Sequence, residues 1–177
     1  MSQSRYLLLL CSLTHSFLPL FLYVTGQYNG DEIEENIAAT LIKIFFRELP
    51  TNLLNHIEKT LIDQIAGYDT MLQYKADDEN GVLMANAIFK QLHDGFQEEV
   101  HFDLLSWLLD VMCQVVEHSS VNKMSAKNMA IVLAPNLYRI HDLSNPLAAI
   151  TLTQRIAKFT EVVLVANIAI RRSKNAT

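Results

Sequence analysis

The segment Glu98 to His118 (EEVHFDLLSWLLDVMCQVVEH) constrains the fold more than any other part of the chain. At helical spacing its polar residues Asp103, Ser106, Asp110, Gln114 and Glu117 fall on one narrow stripe, and the rest of the circumference is apolar. A helix of that kind is stable in water only when other helices cover most of its surface. It therefore predicts a helical bundle with this segment at the centre, and it makes Phe102, Trp107 and Met112 core residues rather than parts of a cofactor site.

The neighbouring segments supply the covering helices. A helix is predicted from about Asp31 to Leu49, with Ile33, Ile37, Leu41, Phe45 and Leu49 recurring every fourth residue and Asn36, Thr40, Lys43 and Arg47 on another face. Acidic residues suit its start, and Pro50 ends it. A shorter helix is expected over Asn52 to Ile65, followed by a polar loop from Gly67 to Gly81 that holds Asp77, Asp78 and Glu79. Those carboxylates lack the alternation and distant Glu of a calcium loop. Helical patterning resumes from Gly81 to Leu92, and a loop at His93 to Gln97 leads into the central helix.

Beyond it, Ser125 is placed to cap a short helix that should stop near Leu133, because the residue before Pro135 is pushed out of the helical region. Asn145 followed by Pro146 starts a last helix that reaches Arg171 and Arg172, whose charges suit its C-terminal end. No segment reads as a strand. The expected architecture is all-α, a single-domain bundle of about six or seven helices, since 177 residues suffice for one good core and hardly for two.

Charge and cysteine usage narrow the function. A net charge of −5 without any run of Lys and Arg argues against a nucleic-acid partner, which would need clustered cations to displace phosphate counterions. Cys11 and Cys113 stand in unlike contexts, with neither a disulfide framework nor metal-ligand spacing, which fits a reducing, cytoplasmic location. The six histidines are scattered, so no metal site is expected. The usual motifs for phosphate binding, dinucleotide binding, serine hydrolysis and zinc proteolysis are missing, and no cofactor is expected.

The N-terminus departs from this picture. Tyr6 to Val24 (YLLLLCSLTHSFLPLFLYV) is close to a continuous apolar run behind Arg5. Its length approaches that of a bilayer span, and one charge before an apolar block also suits a signal peptide. Ser12, Thr14, His15, Ser16 and Pro19 interrupt it, so a hairpin packed on the core, or a foreign segment introduced by splicing or a misplaced start, fits as well. Residues 1–26 are set apart on this ground from a helical domain over 27–177. Membrane contact through Tyr6 to Val24 follows only if the run is an anchor.

Lys43 and Arg47 lie one turn apart on a helix face, where two cations can meet one acidic surface. A solvated face explains that spacing equally well. The segment AATLIKIFFRELP (Ala38 to Pro50) resembles the second conserved block of RhoGAP domains, of the form ASLLKLFLRELP. VVEHSSVNKMSAKNMAIVLAPNLYR (Val115 to Arg139) is similar to their third block, VAEHSSVNKMTAKNLAIVFGPNLLR. With the surrounding helices the resemblance spans roughly Asp31 to Arg172.

The resemblance implies a helical regulator that binds a GTP-bound Rho-family small GTPase and stimulates GTP hydrolysis, acting on the G protein rather than as a self-contained enzyme. It places Lys43 and Arg47 near the partner's nucleotide site and Asn136 on its switch region. Asn122, Lys123, Asn128 and Pro135 then belong to a motif that chiefly builds the loop before the short helix.

Two departures accompany the resemblance. After RELP the family has a further proline before the next apolar pair, where Thr51 and Asn52 precede Leu53 and Leu54 here. The first block, of the form GIFRxSG, which carries an arginine finger worth roughly 10³ to 10⁵ in rate, is not found in the chain. Arg5 stands about as far upstream of Lys43 as that finger would, in a context, SRYLLLL, that shares nothing with it. The domain is therefore expected to be incomplete at its N-terminus, and a binding module without catalysis is the alternative reading.

Overall fold

The computed structural model describes residues 35–73, 78–140 and 145–175. Arg5, the run Tyr6 to Val24, Cys11, the predicted helix start at Asp31, Asp77 and His141 lie outside the described residues. Every regular element among those described is helical. Seven α-helices are present among the described residues: α1 (Glu35–Arg47), α2 (Lys59–Ala66), α3 (Glu79–Gly95), α4 (Glu99–Glu117), α5 (Ser119–Asn122), α6 (Ala126–Leu137) and α7 (Pro146–Asn175). Two 3-10 turns, Leu53–His56 and Asp69–Leu72, join them. The chain divides into two compact units, Met1–Pro50 and Thr51–Thr177.

In the first unit the apolar surface of α1 extends one residue beyond the predicted stripe. Phe46 is fully buried, whereas Leu41 and Phe45 are half-buried. The Phe45 and Phe46 rings meet edge to face with centroids 5.1 Å apart, so the apolar face is wider than a strict four-residue repeat suggests.

In the second unit the hub is α7, not α4. α7 packs against α2, α3, α4 and α6, burying Ile156, Phe159, Val162, Val163 and Leu164 on successive turns. α4 buries Leu105, Leu108, Leu109, Met112 and Cys113. Trp107 and Phe102 are only half-buried, as large aromatics at the margin of a core often are. Asn167 of α7 donates to Asp110 Oδ1 at 3.1 Å and to Cys113 Sγ at 3.3 Å. Arg171 Nη1 reaches the same Asp110 oxygen at 3.0 Å. Burial first of all pushes the Cys113 thiol up to about 11, which makes it a packing residue rather than a nucleophile.

Several boundaries differ from the sequence-based expectation, among them the end of α1 at Arg47 rather than Leu49 and of α7 at Asn175 rather than Arg172. The helix expected over Asn52 to Ile65 is broken: Ile57 and Glu58 are extended between the 3-10 turn and α2. The side chain of Asn55 bonds to distant backbone instead of leaving its own segment to continue a helix. The expected acidic loop is partly a helix start, because Asp78 Oδ1 accepts from Asn80 N at 2.9 Å and Glu79 occupies the first turn of α3. The loop expected at His93 to Gln97 is shorter, since α3 runs on to Gly95.

Finally, α6 runs through Pro135 to Leu137 rather than stopping near Leu133. Burial of Leu133, Ala134 and Leu137 keeps that last turn helical against the preference of the residue before proline. The two caps read from sequence are in place. Ser125 Oγ accepts from Asn128 N at 3.2 Å, and Asn145 Oδ1 accepts from Ala148 N at 3.1 Å.

Candidate functional site

On α1, Lys43 and Arg47 stand one helical turn apart near the C-terminal end of the helix. Lys43 is half-buried and Arg47 exposed. Arg47 Nε lies 3.1 Å from Glu48 Oε1, in a pair whose side chains are each more than half exposed. Such a surface pair contributes about 1 kcal/mol at most. A cation in the last turn is also favoured by the carbonyl end of the helix dipole.

In the second unit the residues singled out by sequence fall on α5, α6 and the loop between them. Lys123 has φ 60°, the one positive φ of a non-glycine among the described residues. The strain is offset by local bonds: Lys123 N donates to Ser119 O at 3.0 Å, Lys123 Nζ to Ser120 O at 2.7 Å, and Asn128 Nδ2 to Lys123 O at 2.9 Å. Asn122 uses both ends of its amide, donating to Val115 O at 2.8 Å and accepting from Met124 N at 2.8 Å. Together these bonds close the passage from α4 through α5 into the start of α6.

Asn136 sits in the last turn of α6, half-buried, with Nδ2 donating to Val132 O one turn back at 3.1 Å. On the same helix Ile131 and Val132 are 53% and 44% exposed, an apolar surface beside Asn136 that sequence periodicity did not single out. Asn52 Nδ2 donates to the Asn136 carbonyl at 3.1 Å. Asn55 holds Arg139 from both sides, donating to its carbonyl at 3.0 Å and accepting from its N–H at 2.8 Å. Neither asparagine was marked from sequence, because the partners are 84 residues away and nothing in the local pattern points to them.

A second pairing was also hidden. The rings of His56 and His101 stack with centroids 3.6 Å apart and planes 17° from parallel, beside Phe96. Burial, and then the neighbouring His56, lower the His101 pKa below its ordinary 6.5, with Glu98 opposing. Among the described residues no group of three potential ligands could hold a metal ion, and no helix is long and apolar enough to cross a membrane.

An all-α fold, with the two motif-bearing segments on helices α1 and α4 to α6, has its counterpart among known proteins. The family model of the RhoGAP domain matches residues 23–142, and the chain belongs to that family. It is 35% identical over 140 residues to Rho GTPase-activating protein gacA of Dictyostelium discoideum, covering 79% of this chain and 36% of that protein. It is 31% identical over 159 residues to Rho GTPase-activating protein 2 of Arabidopsis thaliana, covering 88% and 32%. Rho GTPase-activating protein 18 of Homo sapiens is 28% identical over 121 residues, covering 68% and 16%. The chain thus spans about a third or less of the length of these relatives.

Proposed function

We propose that the chain binds the GTP-loaded form of a Rho-family small GTPase and promotes hydrolysis of the bound GTP. Membership of the RhoGAP family carries the reading, together with the cation pair Lys43 and Arg47 at the accessible end of α1. Phosphoryl transfer develops charge on the oxygens of the transferred group, and cations held near the nucleotide site lower its barrier. Lys43 and Arg47 supply that charge or anchor the partner beside it. Asn136 contacts the partner's switch region, with Ile131 and Val132 as the apolar part of the same surface. Asn122, Lys123, Asn128 and Pro135 act by shaping the entry and exit of α6.

A second reading is a module that docks without accelerating hydrolysis. Arg5 is the single arginine before Lys43 in the sequence, and its apolar surroundings do not suit a finger that must reach into a polar site. Single-turnover GTP hydrolysis by a panel of Rho-type G proteins, with and without this chain, separates the two. Acceleration of 10³-fold or more supports a complete activator. Binding to the transition-state mimic without acceleration supports the docking module, and absence of binding to every member sinks both.

The proposal treats residues 27–177 as the helical domain and 1–26 as a distinct segment, in a cytoplasmic protein that Tyr6 to Val24 can tether to a membrane. Tethering would raise the local concentration of a lipidated partner. Deleting residues 1–26 should release the protein from the membrane fraction; an unchanged distribution would remove the anchor from the proposal.

A further inference from the structure

The backbone of Asn136 is bonded from outside its own helix, at the carbonyl, while its side-chain amide is bonded within the helix to Val132 O. Its carbonyl belongs to the last turn of α6, where the final carbonyls have no intrahelical N–H to accept from. That turn is further weakened by Pro135, which has no N–H to donate to the preceding turn. The missing support comes from the segment around the 3-10 turn Leu53–His56. Asn52 is 3% exposed and donates to the Asn136 carbonyl, while Asn55 pairs with both backbone groups of Arg139 three residues on. Three hydrogen bonds therefore fasten the end of α6 to a turn far away in sequence.

We infer that Asn52 and Asn55 are positioning residues for partner binding: they fix the direction in which Asn136 leaves the surface and so set the affinity for the G protein. The inference rests on the proposed role of Asn136. The burial of Asn52 adds to the effect. A buried amide that loses an acceptor is costly, which favours arrangements in which the Asn52 segment and the end of α6 stay together.

The inference predicts a specific pattern in the full chain. Asn55→Ala and Asn52→Ala each weaken binding to a GTP-analogue-loaded Rho-type G protein by about tenfold, at a temperature where circular dichroism shows the variants folded. In an Asn136→Ala background the same changes add little, because there is no longer a side chain to place. Amide exchange at Arg139 rises in Asn55→Ala while that of α4 stays as in the parent. Additive losses in the double variants, or unchanged affinity in Asn52→Ala and Asn55→Ala when Asn136→Ala does weaken binding, would overturn the positioning role and leave the proposed function standing. If the parent chain binds no Rho-type G protein, or Asn136→Ala binds as the parent does, the reading of Asn136 fails and the inference falls with it. Asn52→Gln offers a control: a longer amide that recovers part of the affinity supports the bond itself over the volume of the side chain.

Discussion

His56 and His101 lie face to face with ring centroids 3.6 Å apart, joining the 3-10 turn that carries Asn55 and directly follows Asn52 to the first turns of α4. Two imidazolium rings cannot share that spacing without repulsion, and His101 already has a pKa below the ordinary 6.5 because it is partly buried and next to His56. A folded-state pKa below the unfolded one means that the unfolded chain binds the proton more readily. Stability is therefore fully present above about pH 6.5 and is lost as pH falls toward the lowered value. Thermal unfolding followed from pH 8 to pH 5 should show a falling midpoint across that window. His101→Gln should flatten this part of the profile, and an identical slope in the variant would remove His101 as its source.

Ser125 caps α6 by accepting from Asn128 N, and it does so immediately after the left-handed residue Lys123 and the bonded loop around it. Ser125→Ala should cost about 1 kcal/mol, and Ser125→Gly only a few tenths. For a chain of this size 1 kcal/mol corresponds to a shift of about 2–4 °C in the unfolding midpoint. Urea unfolding of these variants and of Ser125→Thr checks the source: the threonine variant keeps an accepting oxygen and should stay near the parent, and a threonine variant as weak as the alanine variant would show that the hydroxyl bond is not what matters there.

Asp110 joins α4 to α7 by accepting from both Asn167 and Arg171. The guanidinium is partly exposed, so the ion pair itself contributes about 1 kcal/mol or less. Asn167 is different, because it is buried and would lose one of its two acceptors. Asp110→Ala should therefore destabilise by about 1–3 kcal/mol, whereas Arg171→Ala should cost less than half of that. Equal losses in the two variants, measured by denaturant unfolding in the same buffer, would place the energy in the ion pair instead.

The elements whose residues carry local signals were legible in the sequence, and those decided by distant partners were not. α4 was found within a residue at each end because its periodicity is long and its polar stripe continuous. The caps at Ser125 and Asn145 were found because a capping side chain bonds only three residues away. The break at Ile57 and Glu58 was missed because Asn55 is bonded to Arg139, and the continuation of α6 through Pro135 was missed because burial of Leu137 and its neighbours outweighs a local preference. The role of α7 as hub escaped for a related reason. A helix covered by four others buries residues on several sides, and no single periodic stripe announces that. In the candidate site, Lys43 and Arg47 stand out by their one-turn spacing and take their role from motif resemblance, Asn136 comes from the resemblance alone, and Asn52 and Asn55, which bond to the end of α6, required the fold.

Lys43 and Arg47 are the most direct test of the proposed function, because long-range charge acts on association in a way that packing does not. If both cations face an acidic or phosphate-bearing surface, association slows as salt rises and Debye screening shortens from about 10 Å at 0.1 M to about 3 Å at 1 M. Lys43→Ala and Arg47→Ala should each weaken binding to the GTP-analogue-loaded partner by about 10- to 100-fold, matching loss of a charged hydrogen-bonding group. Lys43→Arg should retain more affinity than Arg47→Lys if Arg47 makes a two-pronged contact, since an ammonium cannot replace a planar fork. The double variant should also bind with a visibly smaller dependence on salt than the parent. Stopped-flow association at several ionic strengths reads both quantities at once: an unchanged salt slope in the double variant would mean that these cations face solvent in the complex and that the partner is recognised elsewhere on the chain.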